Sequence, residues 1–366
     1  MGKINVGILF GGRSAEHEVS LQSAQNVIEA IDREKYDITL IGIDKAGKWY
    51  LNDSSRFLLN SHDPKRIALD KTDKSVVLVP GEDSTQLINI ADSGRSNNID
   101  VVFPILHGPY GEDGTVQGLL KLTNIPFVGA GVLGSAIGMD KDVAKRLLRD
   151  ARIPIAKFLV IYKWEQEHIG FTEASSHLGL PLFIKPANAG SSVGVSKVRT
   201  EEEFNKALEE AFSFDTKILI EEFIEGREVE CAVLGNNQPI ASRIGEIIAQ
   251  QDFYSYEAKY LDENGAILNI PAKISEETEK QIQQLAIQAF QVLCCEGMAR
   301  VDFFLTRNNQ VIINEINTIP GFTKISMYPK LWEISGITYR DLIDRLIQLA
   351  LEKHAKEQKL KTSYDK

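Results

Sequence analysis

Arg300-Val301-Asp302-Phe303-Phe304-Leu305 and Val311-Ile312-Ile313-Asn314-Glu315-Ile316-Asn317 constrain this chain more than any other pair of segments. Two β-prone runs around Asn308-Asn309 predict a hairpin, because asparagine tolerates the positive φ of a two-residue turn. On that register Arg307 faces Gln310, Asp302 faces Glu315 and Arg300 faces Asn317. Strand alternation then puts Arg300, Asp302, Glu315 and Asn317 on one face. The bland alternative is a solvated sheet face with cross-strand charge pairs. It must explain why Phe304 and Ile313 share that face. Oxygen ligands beside an arginine instead suit Mg²⁺ bridging phosphates, since that ion takes few carboxylates and shares its other positions with water and phosphate.

A second segment points the same way. Phe183-Ile184-Lys185-Pro186 and Val195-Ser196-Lys197-Val198 flank Ala187-Asn188-Ala189-Gly190-Ser191-Ser192-Val193-Gly194, with no helix after the glycines. This predicts a hairpin whose tip offers backbone N–H groups and two hydroxyls to phosphates, with Lys185 as a point charge. A plain flexible hairpin is the alternative. Ile218-Leu219-Ile220-Glu221-Glu222-Phe223-Ile224-Glu225-Gly226-Arg227-Glu228 is an apolar strand running into acids, consistent with a segment that hydrogen-bonds a base and a ribose. Tyr256-Glu257-Ala258-Lys259-Tyr260 reads on its own as a surface loop.

The first third alternates strand and helix. A strand over Asn5 to Phe10, a helix through Leu21, Ala24, Val27, Ile28 and Ile31, and a strand over Ile38 to Ile43 imply a parallel α/β unit. Asp100 to Leu106 is an apolar strand feeding His107-Gly108-Pro109-Tyr110-Gly111-Glu112-Asp113-Gly114, and Asp113 is placed to cap a helix through Val116, Leu119, Leu120 and Leu122. Gly11 to Ser20 and His107 to Asp113 should therefore be neighbours at the strand ends, where open sheets bind ligands. Gly7 to Ser14 spaces its glycines like a phosphate loop but has Arg13 where lysine belongs, and Gly7 lies mid-strand. What remains is a tight turn before a helix N-terminus, suited to an anion, with Glu16 close by for an ammonium. A turn with a solvated acid is the alternative. A helix is expected from Asp140 to Asp150 and strands near Phe158 and Phe183; Ser84 to Asn98 and Lys353 to Lys366 read as a surface loop and a frayed tail.

With 366 residues the chain exceeds the size of a single core. A net charge of −10 argues against nucleic acid, so any anionic ligand needs a local cluster of cations. No apolar run approaches a membrane span, and Ile4 to Phe10 lacks a cleavage pattern, so a cytoplasmic protein is expected. Cys231, Cys294 and Cys295 are wrongly spaced for a disulfide framework or zinc, and read as reduced apolar filler.

Taken in order, these segments resemble the D-alanine:D-alanine ligases of the ATP-grasp superfamily over nearly the whole chain. The resemblance is carried by Gly11 to Ser20, Leu106 to Gly114, Met139-Asp140-Lys141, Lys185 to Gly194, Tyr256 to Tyr260, Arg300 to Asp302, and Asn314 to Gly321. It implies an α/β ATP-grasp protein of three domains. Residues 1–129 would form an N-terminal parallel α/β domain, and residues 130–221 and 222–366 two α+β subdomains that grip ATP. Lys141 and Lys185 would hold phosphates, with Ser192 and Lys259 stabilising charge. Glu221, Phe223 and the backbone of Ile224 would contact adenine and Glu228 the ribose. Asp302, Glu315 and Asn317 look like ligands of two Mg²⁺ ions, for which Mn²⁺ could substitute. Glu16 would bind the first D-alanine, with Val19 and His107 nearby, and Ser191 and Tyr260 would close the lid onto Glu16. Arg300 and the N–H of Gly321 would stabilise the oxyanion, and Ser326 and Met327 would seat the second D-alanine. Met327 stands where the family often has leucine, which bears on substrate range. A homodimer in the cytoplasm is implied as well. The nearest rival is a D-alanine:D-lactate ligase, which the Tyr256, Lys259, Tyr260 pattern disfavours; a non-catalytic nucleotide-binding regulator would explain the lid but not the acid face.

Overall fold

The computed structural model describes residues 2–81, 87–90, 98–165, 169–249, 266–361 and 363–364. Tyr256, Lys259 and Tyr260 lie outside these residues.

Strands β1 (Ile4–Gly11), β2 (Tyr36–Ile43), β3 (Trp49–Asn52) and β8 (Val101–Ile105) form a sheet of order β3-β2-β1-β8. β2, β1 and β8 are parallel, as the alternating sequence predicts, and β3 adds an antiparallel edge. Helix α1 (His17–Ala30) buries Leu21, Ala24, Val27 and Ile28 along one stripe, the helical spacing of an amphipathic face. Phe10 pairs with Ile105, so the loops that follow β1 and β8 emerge side by side. Two small ribbons, β4 (Leu58–Leu59) with β5 (Ala68–Leu69) and β6 (Val76–Leu78) with β7 (Leu87–Asn89), complete this region. The expected loop from Ser84 to Asn98 is thus interrupted: Leu87 pairs with Leu78 and is fully buried.

Helix α2 (Thr115–Leu122) starts one residue later than expected. Gly114 holds the cap position at φ 92°, while Asp113 accepts the N–H groups of Thr115 and Tyr110. After α3 (Val132–Met139), α4 (Lys141–Asp150) is capped by Asp140, which accepts the N–H of Val143.

A second sheet is antiparallel, of order β11 (Ser196–Val198), β10 (Leu182–Pro186), β12 (Lys217–Glu222), β9 (Phe158–Tyr162). Helices α5 (Phe171–Leu178) and α6 (Glu201–Phe214) cover it, burying Phe204, Leu208 and Phe212 with Ile184 and Ile220. The glycine-serine hairpin is as predicted, with Leu182 opposite Val198 and Phe183 opposite Lys197.

The third sheet runs β15 (Ala266–Asn269), β14 (Ile240–Ala249), β13 (Gly226–Gly235), β16 (Gly297–Thr306), β17 (Val311–Asn317). Its Val229, Cys231, Val301 and Phe303 face α7 (Glu276–Val292) in one core. On the other face Ala232, Leu234 and Met298 meet α8 (Met327–Ile334) and α9 (Tyr339–Glu357), and that core continues to Phe10 and Phe103 of the first sheet. Alternation along β13 and β16 places Glu228, Glu230, Arg300 and Asp302 on this second face, beyond the apolar part.

The β16–β17 hairpin keeps the predicted pairs Arg300 with Asn317 and Asp302 with Glu315, but by a different route. Thr306, not Arg307, faces Gln310: its N–H bonds Gln310 O at 3.0 Å, and the loop is Arg307 to Asn309, with Asn309 at φ 57°. A bulge at Asn314 absorbs the additional residue, so Phe303 pairs with Ile313. Ile313 therefore turns into the core at 1% exposure instead of sharing the face of Phe304.

The C-terminal segment is not a frayed tail from Lys353. α9 continues to Glu357, and Lys353 is buried, donating to Gly129 O at 3.1 Å and lying 3.3 Å from Glu296. Cys231 and Cys295 are buried free thiols, whereas Cys294 is exposed. Among the described residues no helix is long and apolar enough to cross a membrane.

Candidate active site

Two cavities meet in the middle of the molecule. One, of about 350 Å³, is lined by residues of the first and third sheets and the loop after β17, including Glu16, His107, Glu112, Arg300, Asn317, Gly321, Ser326 and Met327. The other, of about 410 Å³, lies against the second sheet and is lined by Lys141, Lys185, Ser192, Glu221, Phe223, Ile224 and Glu228. Gly190, Ser191, Glu228, Phe304, Asn314 and Glu315 belong to both. A group bound in one cavity can therefore be passed to a group bound in the other at the lid tip and the acid face. Val19 is buried in α1 and lines neither cavity.

Glu16 precedes α1 and is only 6% exposed. Its carboxylate lies between two glycines: a Cβ on Gly108 would come within 2.7 Å of Glu16 Oε2, and one on Gly190 within 2.8 Å. Ser191 Oγ donates to Glu16 Oε1, tying the lid to the first sheet. Ser191 and Ser192 both have positive φ, at 51° and 60°, a backbone shape that serine adopts only when its surroundings enforce it.

On the nucleotide-sized side, Lys141 Nζ donates to Ala189 O at 2.7 Å and lies 3.4 Å from Glu315. Lys185 is 2.6 Å from Glu221 Oε2, and Lys145, unforeseen from the sequence, is 3.1 Å from Glu221 Oε1. Burial would raise the Glu221 pKa, but the two lysines outweigh it and hold the carboxylate below its ordinary range. Phe223 stacks under Lys197, whose Nζ is 4.3 Å from the ring centre, and lies 6.1 Å from Phe183.

On the acid face, Arg300 forms a two-pronged pair with Asp302, both bonds 2.7 Å, and its Nε also lies 3.0 Å from the buried Glu230. Asn317 donates to Asp302 Oδ2 at 3.0 Å. Among the described residues no group of three or more His, Cys, Asp and Glu has the geometry of a metal site; the face offers two carboxylates and an amide, all oxygen donors of the hard kind that Mg²⁺ takes.

The loop after β17 closes the first cavity. Ile319 N–H donates to Glu112 Oε1 at 3.1 Å and Ile319 O meets His107 Nδ1 at 3.0 Å. Glu112 Oε2 accepts Gly108 N–H at 2.7 Å. Burial lowers the His107 pKa to about 4, so the ring is neutral; burial and the neighbouring Glu16 raise that of Glu112. Ser326 Oγ accepts Thr323 N–H at 3.0 Å, and Met327 packs against Gly245, where a Cβ would come within 2.6 Å of its sulfur.

The "D-ala D-ala ligase N-terminus" family model matches residues 5–130, and "D-ala D-ala ligase C-terminus" matches 147–348. The chain belongs to the D-alanine–D-alanine ligase family. A family member from Shouchella clausii is 58% identical over 363 residues, 99% of each chain. D-alanine–D-alanine ligase A of Escherichia coli K12 is 56% identical over 363 residues, 99% of this chain and 100% of its own. Among solved structures, the ligase of Coxiella burnetii shares 41% identity at TM-score 0.84, covering 98% of this chain and 97% of its own. The VanG D-Ala:D-Ser ligase of Enterococcus faecalis shares 39% at TM-score 0.84, covering 95% and 100%. These likenesses agree with the ATP-grasp α/β architecture. Reading the sequence missed Lys145, Glu230 and Ser23, because the partners that give them a place in the site, Glu221, Arg300 and His107, come from distant segments.

Proposed function

We propose that this chain joins two molecules of D-alanine into D-alanyl-D-alanine for peptidoglycan precursors, converting ATP to ADP and phosphate through a D-alanyl phosphate. The observation that carries the reading is the meeting of the two cavities at Ser191, Glu228 and Glu315, which sets a nucleotide-sized site and an amino-acid-sized site against one acid face. We assign residues 1–129, 130–221 and 222–366 to three domains, acting in the cytoplasm as a homodimer.

A carboxylate resists amines because its leaving group would be oxide, and phosphorylation removes that obstacle. The first D-alanine's carboxylate attacks the γ-phosphate of ATP, positioned by Lys141, Lys185, Ser192 and Lys259. Glu221, Phe223 and Ile224 receive adenine and Glu228 the ribose. Glu16 holds the substrate ammonium, and Ser191, with Tyr260, holds Glu16. Asp302, Glu315 and Asn317 fit Mg²⁺, which supplies charge neutralisation at the phosphates. The second D-alanine, seated by Ser326 and Met327, attacks the acyl carbon through its neutral amine, and phosphate leaves. Arg300 and Gly321 N–H stabilise the tetrahedral oxyanion, a role worth about 3–4 kcal/mol per donor.

The test is phosphate release from ATP and Mg²⁺ with D-alanine, L-alanine, or D-alanine plus D-lactate or D-serine, with products weighed by mass spectrometry. D-alanine-dependent release with D-alanyl-D-alanine as the main product is expected. Turnover only with another acceptor would replace the substrate assignment.

A further inference from the structure

Among the buried titratable groups that the reaction as proposed leaves without a task, two touch the same backbone unit. Ile319 is held at each end of its residue: its N–H by Glu112 Oε1 and its carbonyl by His107 Nδ1. His107 Nδ1 faces a carbonyl, which only accepts, so Nδ1 carries the proton and Nε2 accepts from Ser23 Oγ at 3.2 Å. Ser23 Oγ in turn accepts the N–H of Phe322 at 3.2 Å. Phe322 O accepts from Asn26 Nδ2 at 3.2 Å and from Tyr339 at 2.8 Å. The donors and acceptors form one consistent chain, and it grips the backbone on both sides of Gly321.

We infer that His107 and Glu112 are positioning residues that clamp residues 319–322 and so fix the Gly321 N–H at the reacting carbonyl, with His107 acting through the loop and not by contact with the substrate carboxylate. The catalytic half of this inference rests on the proposed ligase reaction; the clamp itself does not. Both His107 nitrogens are engaged by protein groups, and the ring is 4% exposed. Both Glu112 oxygens accept backbone N–H groups from loops remote from each other, Gly108 and Ile319, an arrangement that only the ionised carboxylate satisfies and that opposes the rise in pKa caused by burial and Glu16. Glutamine at 112 would turn an N–H₂ toward one of those N–H groups, leaving a donor facing a donor. Asparagine at 107 puts an amide N–H₂ close to the place of Nδ1 and keeps the bond to Ile319 O.

The test uses the full chain and the variants His107→Ala, His107→Asn and Glu112→Gln. Hydrogen exchange of the ligand-free proteins, read by mass spectrometry on peptides spanning 318–326, should quicken at least about ten-fold in His107→Ala and Glu112→Gln and return close to wild type in His107→Asn. In steady state, kcat should fall about 30-fold or more in the first two, with KM for both D-alanine sites within about three-fold, and His107→Asn should recover most of the rate. Unchanged exchange would overturn the clamp. A rise in KM for the first D-alanine that His107→Asn does not rescue would overturn the positioning role in favour of direct contact. Quickened exchange with unaltered kcat would overturn the link to catalysis. If wild-type protein releases no phosphate with D-alanine, the ligase reading fails while the exchange result still decides the clamp.

Discussion

The two walls of the amino-acid-sized cavity are built on opposite principles. The loop over residues 319–322 is gripped by His107, Glu112, Ser23, Asn26 and Tyr339, which come from α1, the loop after β8 and α9. The facing wall, the lid tip at Gly190 to Ser192, is tied to the first sheet through the Ser191 hydroxyl on Glu16 and carries two serines at positive φ. The difference teaches how each wall is fixed: the loop is held by side chains from three separate elements, whereas the tip holds two serines at positive φ against its bonds to Glu16 and Lys141, a shape that costs free energy to keep.

The comparison breaks most visibly in acid. His107 is neutral in the fold at a pKa of about 4, against 6.5 for a free imidazole. Below 6.5 the unfolded chain binds the additional proton, so the stability from a neutral His107 is present above pH 6.5 and is lost as pH falls toward 4. The loss amounts to about 3 kcal/mol, from the difference of the two pKa values. Urea unfolding at pH 7, 5.5 and 4.5 should show this component in the wild type and lack it in His107→Asn. Next in size, Gly108→Ala strikes the fixed wall, since φ is +74° and the new Cβ would lie 2.7 Å from both Glu16 Oε2 and Ser14 Oγ. A loss of about 2–3 kcal/mol in denaturant unfolding is expected, with activity reduced through displaced Glu16.

Ser191→Ala tests the lid alone. Phosphate release should fall about ten-fold, equivalent to about 1.4 kcal/mol, while the unfolding midpoint stays within error. Protease cleavage between Lys185 and Val198 should quicken, and an unchanged cleavage rate would contradict a lid held by this hydroxyl. Smallest is Ser23→Ala, which removes the acceptor of the Phe322 N–H and should cost about 1 kcal/mol of stability, seen as a lower urea midpoint.

Much of this arrangement was legible in the sequence, for identifiable reasons. The parallel α/β start, the glycine-serine hairpin and the pairs Arg300 with Asn317 and Asp302 with Glu315 follow from alternation and turn chemistry, which are local. The hairpin pairs came out correctly because two errors cancelled: a loop one residue longer than supposed and a bulge at Asn314. Neither has a sequence signal that separates it from a two-residue asparagine turn. Leu87 to Asn89 was hidden in a polar stretch, and Lys353 looked like a tail residue because its partners, Gly129 and Glu296, are remote. Glu112 and His107 stood in a recognisable motif, yet their hydrogen bonds to residue 319 depend on tertiary assembly that no spacing rule reaches.

The bond between His107 and Ile319 joins residues 212 positions apart. A chain is synthesised from its N-terminus, and its early units fold as they emerge. His107 and Glu112 have their near partners Ser23 and Gly108 from the start, but their bonds to Ile319 form only when the loop after β17 arrives, and α9 then completes the core it shares with Phe10 and Phe103. A chain interrupted before residue 319 therefore carries His107 and Glu112 without the backbone they hold, and that side of the cavity stays unfinished.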